Sequence, residues 1–210
     1  MTIKSKLAWI DISVPLRNGM VHWPGDPPFQ ISRIKDLTRG DTVNLSNVNM
    51  GAHSGTHVDA PRHMVKGGKS LDQISIENFV GRGVLIDARK GFSLGKVKKS
   101  DIHKGDIVLF YTGMSHHYNE SKYYDSYPAI TEEIANYLVS KKIKMVGVDA
   151  CSVDHEQFPV HRILLREEIL IIENLTNLQS LAGKEFKIYA FPIKLQIDGA
   201  PARVIAETLK

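Results

Sequence analysis

The chain has 210 residues, 42% hydrophobic and 24% charged, which excludes disorder and collagen-like structure and gives enough length for one sizeable core. Its 27 basic and 23 acidic residues interleave to a net charge of +4, and even the densest basic stretch, Lys96, Lys98, Lys99 and Lys104, includes Asp101. That pattern reads as a solvated surface and gives little footprint for nucleic acid. Cys151 is the only cysteine, so no internal disulfide forms and a reducing, cytoplasmic setting is expected. No apolar run approaches the ~20 residues that span a bilayer, and the N-terminal stretch is too short in its apolar part for a signal peptide, so a soluble chain with no membrane partner is expected. Glycine and proline are dispersed without a linker, which predicts one domain over residues 1–210.

Short Val- and Ile-rich runs predict strands over 7–14, 43–50, 83–88, 106–112, 144–150, 169–173, 186–197 and 202–208. Ser70 opens a weaker helical candidate over 70–79. Thr131 caps a clearer helix, in which Ile134, Ala135, Leu138 and Val139 fall at helical spacing before Ser140. Strands in excess of helices, in mixed order, predict a single α/β or α+β domain with a strand-rich core. Three polar connections, 23–28, 53–63 and 151–161, are the places to look for binding residues, because such residues concentrate on loops held by a rigid scaffold.

The second connection carries the strongest chemical signal. His53, His57 and His63 fall within eleven residues together with Asp59, and imidazole and carboxylate at that density are ligands for zinc, manganese or iron. A single helix would have to contain Gly55 and Pro61, so it does not explain the spacing. In an extended chain the odd-numbered positions 53, 57, 59 and 63 share one face. A straight strand would nevertheless separate His53 from His63 by roughly 33 Å at ~3.3 Å per residue. The chain must bend, and Gly55 and Pro61 are the residues that allow it.

The segment from His53 through Ser54-Gly55-Thr56-His57-Val58-Asp59-Ala60-Pro61-Arg62 to His63 resembles the signature of the metal-dependent cyclase-like hydrolases, which include bacterial kynurenine formamidase and isatin hydrolase. Asp11 to Leu16, Trp23-Pro24-Gly25-Asp26, Gly147-Val148-Asp149, His161 to Leu165, Ile171 to Leu175 and Asp198 to Arg203 resemble further family motifs. The resemblance implies that His53, His57 and Asp59 bind a metal, that Asp59 is able to bridge to a second ion, and that His161 and Glu173 complete the site. It assigns His63 as general acid/base and Trp23 as an aromatic wall of the substrate pocket. It further implies a single mixed α/β domain with a strand-rich, barrel-like core of the swivelling β/β/α kind, one or two zinc or manganese ions per subunit, and a homo-oligomer, either a dimer or a dimer of dimers.

The expected activity is hydrolysis of an amide-type C–N bond in a small carbonyl compound, in the manner of the arylformamidases of tryptophan catabolism. Arg162 stands where the formamidase branch has a second histidine, so a cyclic amide or a lactone is the alternative substrate. Two other readings are a metal- or ligand-binding module without catalysis, which needs no proton shuttle at position 63, and weak nucleic-acid binding. His63 as a further ligand competes with His63 as shuttle. Other features carry less. Ser54 lacks the frame of a nucleophile elbow, since Ala52 stands two residues before it. Cys151 with His155 would make a dyad, but a cysteine ending an apolar strand reads as a packed side chain. His116 and His117 read as a solvent-exposed pair.

Overall fold

The computed structural model describes residues 7–120 and 122–209, so the expected domain over 1–210 extends beyond them at both ends, and much of the N-terminal stretch considered as a signal peptide lies outside them. Ten strands and four α-helices follow one another in the order β1 (Leu7–Asp11), β2 (Gln30–Lys35), β3 (Leu45–Asn49), β4 (His57–Asp59), β5 (Val80–Asp87), α1 (Leu94–Lys99), β6 (Ile107–Tyr111), α2 (Lys122–Asp125), α3 (Glu132–Ser140), β7 (Met145–Val148), α4 (Pro159–Arg166), β8 (Leu170–Glu173), β9 (Phe186–Pro192) and β10 (Gly199–Leu209). Each of the predicted strands is present with shifted ends. Thr131 caps α3 as expected, its hydroxyl accepting from the Ile134 amide at 3.3 Å. The candidate helix over 70–79 is instead two short 3₁₀ turns, Leu71–Gln73 and Ile76–Phe79. Ser70 and Gln73 close a capping box on the first of them, and the extended backbone at Ile74 ends it after one turn.

Seven strands close on themselves in the order β10-β4-β8-β7-β6-β5-β9, with β9 returning to β10 along the register Ala202 to Pro192 through Thr208 to Phe186. This is a mixed α/β domain around a closed seven-stranded barrel, with β1 added against the far half of β10. β5, β6, β7 and β8 run parallel, and the helices lie in the crossovers between them, as parallel pairing requires. Alternation sorts the side chains into two cores. Ile107 and Leu109 of β6, Ile172 of β8, Val58 of β4 and Ile188 of β9 pack inside the barrel. Val108, Phe110 and Ile171 pack outside against Ile134 and Leu138 of α3 and Leu164 and Leu165 of α4.

β2 and β3 form a separate two-stranded ribbon, and every residue in both strands is exposed. β2 and the three-residue β4 were missed by the apolar-run criterion, β2 because its residues alternate with Ser and Arg and never form a run. Among the described residues, no helix is long and apolar enough to cross a membrane.

Candidate metal centre

Val58 and Ile172 belong to the barrel interior, so their neighbours His57, Asp59 and Glu173 project from the outer face, where β4 pairs with β8. His57 lies directly opposite Glu173 in that register. The two bends anticipated on either side of β4 are present. Gly55 takes a φ of +62°, and a Cβ there would lie 2.5 Å from a Leu16 methyl carbon. Pro61 opens a 3₁₀ turn, Pro61–His63, that folds His63 back until its ring centre is 4.2 Å from that of His53. α4 brings His161 over the same face. Position 161 was read as part of a polar connection, but the helix already begins at Pro159, whose fixed φ suits a first helical turn.

The imidazoles are aimed by their outer nitrogens. His57 Nδ1 donates to the Gly55 carbonyl at 2.8 Å, which leaves Nε2 pointing at Asp59 Oδ1, 3.4 Å away, and at Glu173 Oε2, 3.5 Å away. His161 Nδ1 donates to Asp154 Oδ1 at 2.6 Å, and its Nε2 lies 3.3 Å from Glu173 Oε1 and 3.7 Å from Asp59 Oδ2. Asp154 was not singled out from the sequence. Its other oxygen accepts from the Val160 and His161 amides, so one carboxylate caps α4 and orients the histidine. An acidic residue shortly before Pro159 is the signal that would have found it. Asp198, quoted only as part of a motif, also takes a specific place. His53 bridges Asp59 Oδ1 at 2.8 Å and Asp198 Oδ2 at 2.7 Å, and His63 Nδ1 lies 3.5 Å from the same Asp198 oxygen.

Asp59 and Glu173 are buried carboxylates that oppose each other's charge and are paired with histidines. Burial is the largest influence on His57 and lowers its pKa, but Asp59 and Glu173 together outweigh it and push the imidazole up to about 10. Burial likewise opposes ionisation of Asp59, yet His57 and His53 hold its carboxyl well below the usual range. The cluster therefore demands positive charge at its centre. His57 Nε2 and Asp59 Oδ2 are buried with no hydrogen-bond partner, a costly condition for atoms that are good metal ligands. Ligand atoms of His53, His57 and Asp59 lie within 4.8 Å of one another, as do those of Asp59, His63 and His161, and those of His53, His63 and Asp198. The donor set of imidazole and carboxylate fits a divalent ion.

The centre opens into a cavity of about 390 Å³, walled by Trp23, Tyr124, Phe158 and Met64. Trp23 stands edge-on to Tyr124 at 5.8 Å between ring centres and 6.3 Å from Phe158. Phe158 takes a φ of +45°, a left-handed conformation that a bulky residue seldom adopts, and from it the ring faces the cavity. Cys151 also lines the cavity, but its thiol donates to the Tyr123 carbonyl at 3.3 Å and burial pushes its pKa up, the opposite of an activated nucleophile. His155 packs against Tyr127 instead, with the two rings tilted at 46°, His116 is exposed, and His117 pairs with Glu120.

Residues 10–155 match the family model Cyclase, described as putative cyclase. The chain belongs to the cyclase family. Kynurenine formamidase of Bacillus anthracis is 33% identical to this cyclase-family chain over 201 residues, covering 94% of it and 96% of that protein. The structure of a predicted metal-dependent hydrolase from Bacillus stearothermophilus superposes with a TM-score of 0.82 at 30% identity, covering 97% of this chain and 99% of that one. Isatin hydrolase A from Labrenzia aggregata superposes with a TM-score of 0.87, covering 97% of this chain and 94% of its own. At 24% identity that last likeness is one of fold.

Proposed function

We propose that this cyclase-family chain is a metal-dependent hydrolase of an amide-type C–N bond in a small aryl carbonyl compound, similar in activity to kynurenine formamidase. The observation that carries the reading is the pair of orphaned buried atoms, His57 Nε2 and Asp59 Oδ2, beside an aromatic-walled cavity. His53, His57, Asp59, His161 and Glu173 hold one or two zinc or manganese ions. A divalent ion held there would supply Lewis acidity, making a water more acidic and polarising the substrate carbonyl. Trp23, Tyr124 and Phe158 hold the aryl group, exclude water and orient the carbonyl towards the centre. His63 is poised as the proton carrier, because burial pulls its pKa below the ordinary value and leaves a neutral imidazole at pH 7. The proton it takes from the attacking water it returns to the leaving nitrogen, and Asp198 beside Nδ1 holds the ring for both transfers.

The same reading has one domain over residues 1–210 working in the cytoplasm as a homodimer or a dimer of dimers. The β2–β3 ribbon supports the assembly. Ile31, Ile34, Leu45 and Val48, with Leu37 and Val43 in the connection, are exposed, and an isolated two-stranded ribbon is marginal in water. A screen of metal-loaded protein against aryl formamides, cyclic imides and lactones tests the substrate class. Turnover of the formamides supports the reading, and turnover confined to lactones contradicts it.

A further inference from the structure

Asn174 follows Glu173 directly and is buried at 5% exposure. Its backbone takes a φ of +56°, which asparagine tolerates better than most residues, and its amide is spanned by two partners. Nδ2 donates to the Gly55 carbonyl at 3.1 Å, and Oδ1 accepts from the Tyr123 hydroxyl at 2.7 Å. A carbonyl only accepts, so the Gly55 contact fixes which end of the amide faces it. The same Gly55 oxygen receives His57 Nδ1. Its two lone pairs thus serve the histidine and the asparagine together. The main chain of Asn174 adds a second tie, accepting from the Thr56 hydroxyl at 2.6 Å. One residue therefore grips the segment before His57 at two successive positions, across a sequence separation of 118 and 119 residues.

We infer that Asn174, anchored by Tyr123, is a positioning residue that fixes the Gly55 carbonyl and through it the direction of His57 Nε2. The relay Tyr123–Asn174–Gly55–His57 is buried throughout its polar contacts, so loss of Tyr123 or Asn174 leaves an unsatisfied group and loosens the Gly55 carbonyl that holds the ring. The Tyr123–Asn174 bond ties the α2 segment directly to the end of β8, which gives a reason for an asparagine in left-handed backbone at this point. The inference rests on the reading of His57 as a metal-holding side chain, and it concerns the residue that aims it.

Two variants test it. Asn174→Gly removes the amide while accepting the left-handed backbone, and Tyr123→Phe removes only the hydroxyl. Zinc titration of metal-free protein by calorimetry should show affinity weakened ~10- to 100-fold in Asn174→Gly, the usual effect of losing a group that orients a ligand, and weakened less in Tyr123→Phe. The slowly exchanging His57 Nδ1–H resonance, assigned by its absence in His57→Gln, should broaden or vanish in both variants. If Asn174→Gly does not fold, Tyr123→Phe decides alone. Zinc affinity within twofold of wild type together with an unchanged His57 resonance would overturn the inference. A wild-type chain that binds no zinc, with the resonance present and lost in the variants, would leave the relay standing and remove the metal reading instead.

Discussion

His57 and His63, six residues apart in sequence, should respond differently to truncation because only the first is read as a metal ligand. His63→Ala is expected to keep metal content near wild type while the catalytic rate falls ~10²- to 10⁴-fold, the usual contribution of a positioned acid or base. His57→Ala should lose metal occupancy, and added metal should restore part of its activity but none to His63→Ala. Metal analysis beside steady-state kinetics separates the two, and equal loss of metal from both variants would make His63 a ligand. Cys151→Ser should retain most activity, because its thiol is spent on the Tyr123 carbonyl and burial raises its pKa. A rate loss with metal and folding intact would revive the Cys151–His155 dyad. The ligand-type residues were readable from the sequence because four of them crowd one short segment. Asp154 and Asn174 were not, since each acts through hydrogen bonds to partners that only the folded chain brings within reach.

Bends and helix starts decide where those side chains arrive. Gly55→Ala would force a Cβ into Leu16 and hold a non-glycine residue in the left-handed region, which costs about 1–2 kcal/mol before any overlap. A destabilisation of at least about 1 kcal/mol in denaturant unfolding, with weaker zinc binding, is expected; wild-type values in both would mean that the bend does not set the site. The β2–β3 ribbon gives the other prediction at this level. Sedimentation should find the wild-type chain as a dimer or larger, and Ile34→Asp with Val48→Asp should shift it towards monomer. A wild-type monomer at the same concentration would leave the ribbon unexplained by self-association. Gly55 and Pro61 were recognisable as bends because three histidines and an aspartate had to meet. The helix carrying His161 was harder to see, because its apolar face is only Val160, Leu164 and Leu165.

The closed barrel gives the site a stiff outer wall, and the charge on that wall ties stability to pH. In metal-free protein His57 has a folded pKa of about 10 against an ordinary value of 6.5. The stability it contributes is complete below the unfolded value and is lost as pH rises through about 10. Asp59 and Glu173 are depressed, so their contribution holds above the ordinary carboxylate range and is lost as pH falls through their folded values. Thermal melts of metal-free protein should therefore fall from neutral pH towards pH 10, and zinc should flatten that alkaline limb by replacing the proton on His57. An alkaline limb that is flat without metal would contradict the electrostatic account. Short Val- and Ile-rich runs already implied a strand-rich α/β or α+β domain, and the family resemblance implied a barrel-like core. Closure itself depends on β9 meeting β10, a pairing that no local pattern encodes. The most direct test of the whole is the hydrolysis of an aryl formamide by one preparation measured three ways: as purified, after exhaustive chelation, and after zinc or manganese is returned. Turnover that disappears with the metal and recovers with it is the result predicted here, and full turnover in protein shown by elemental analysis to be metal-free would contradict it.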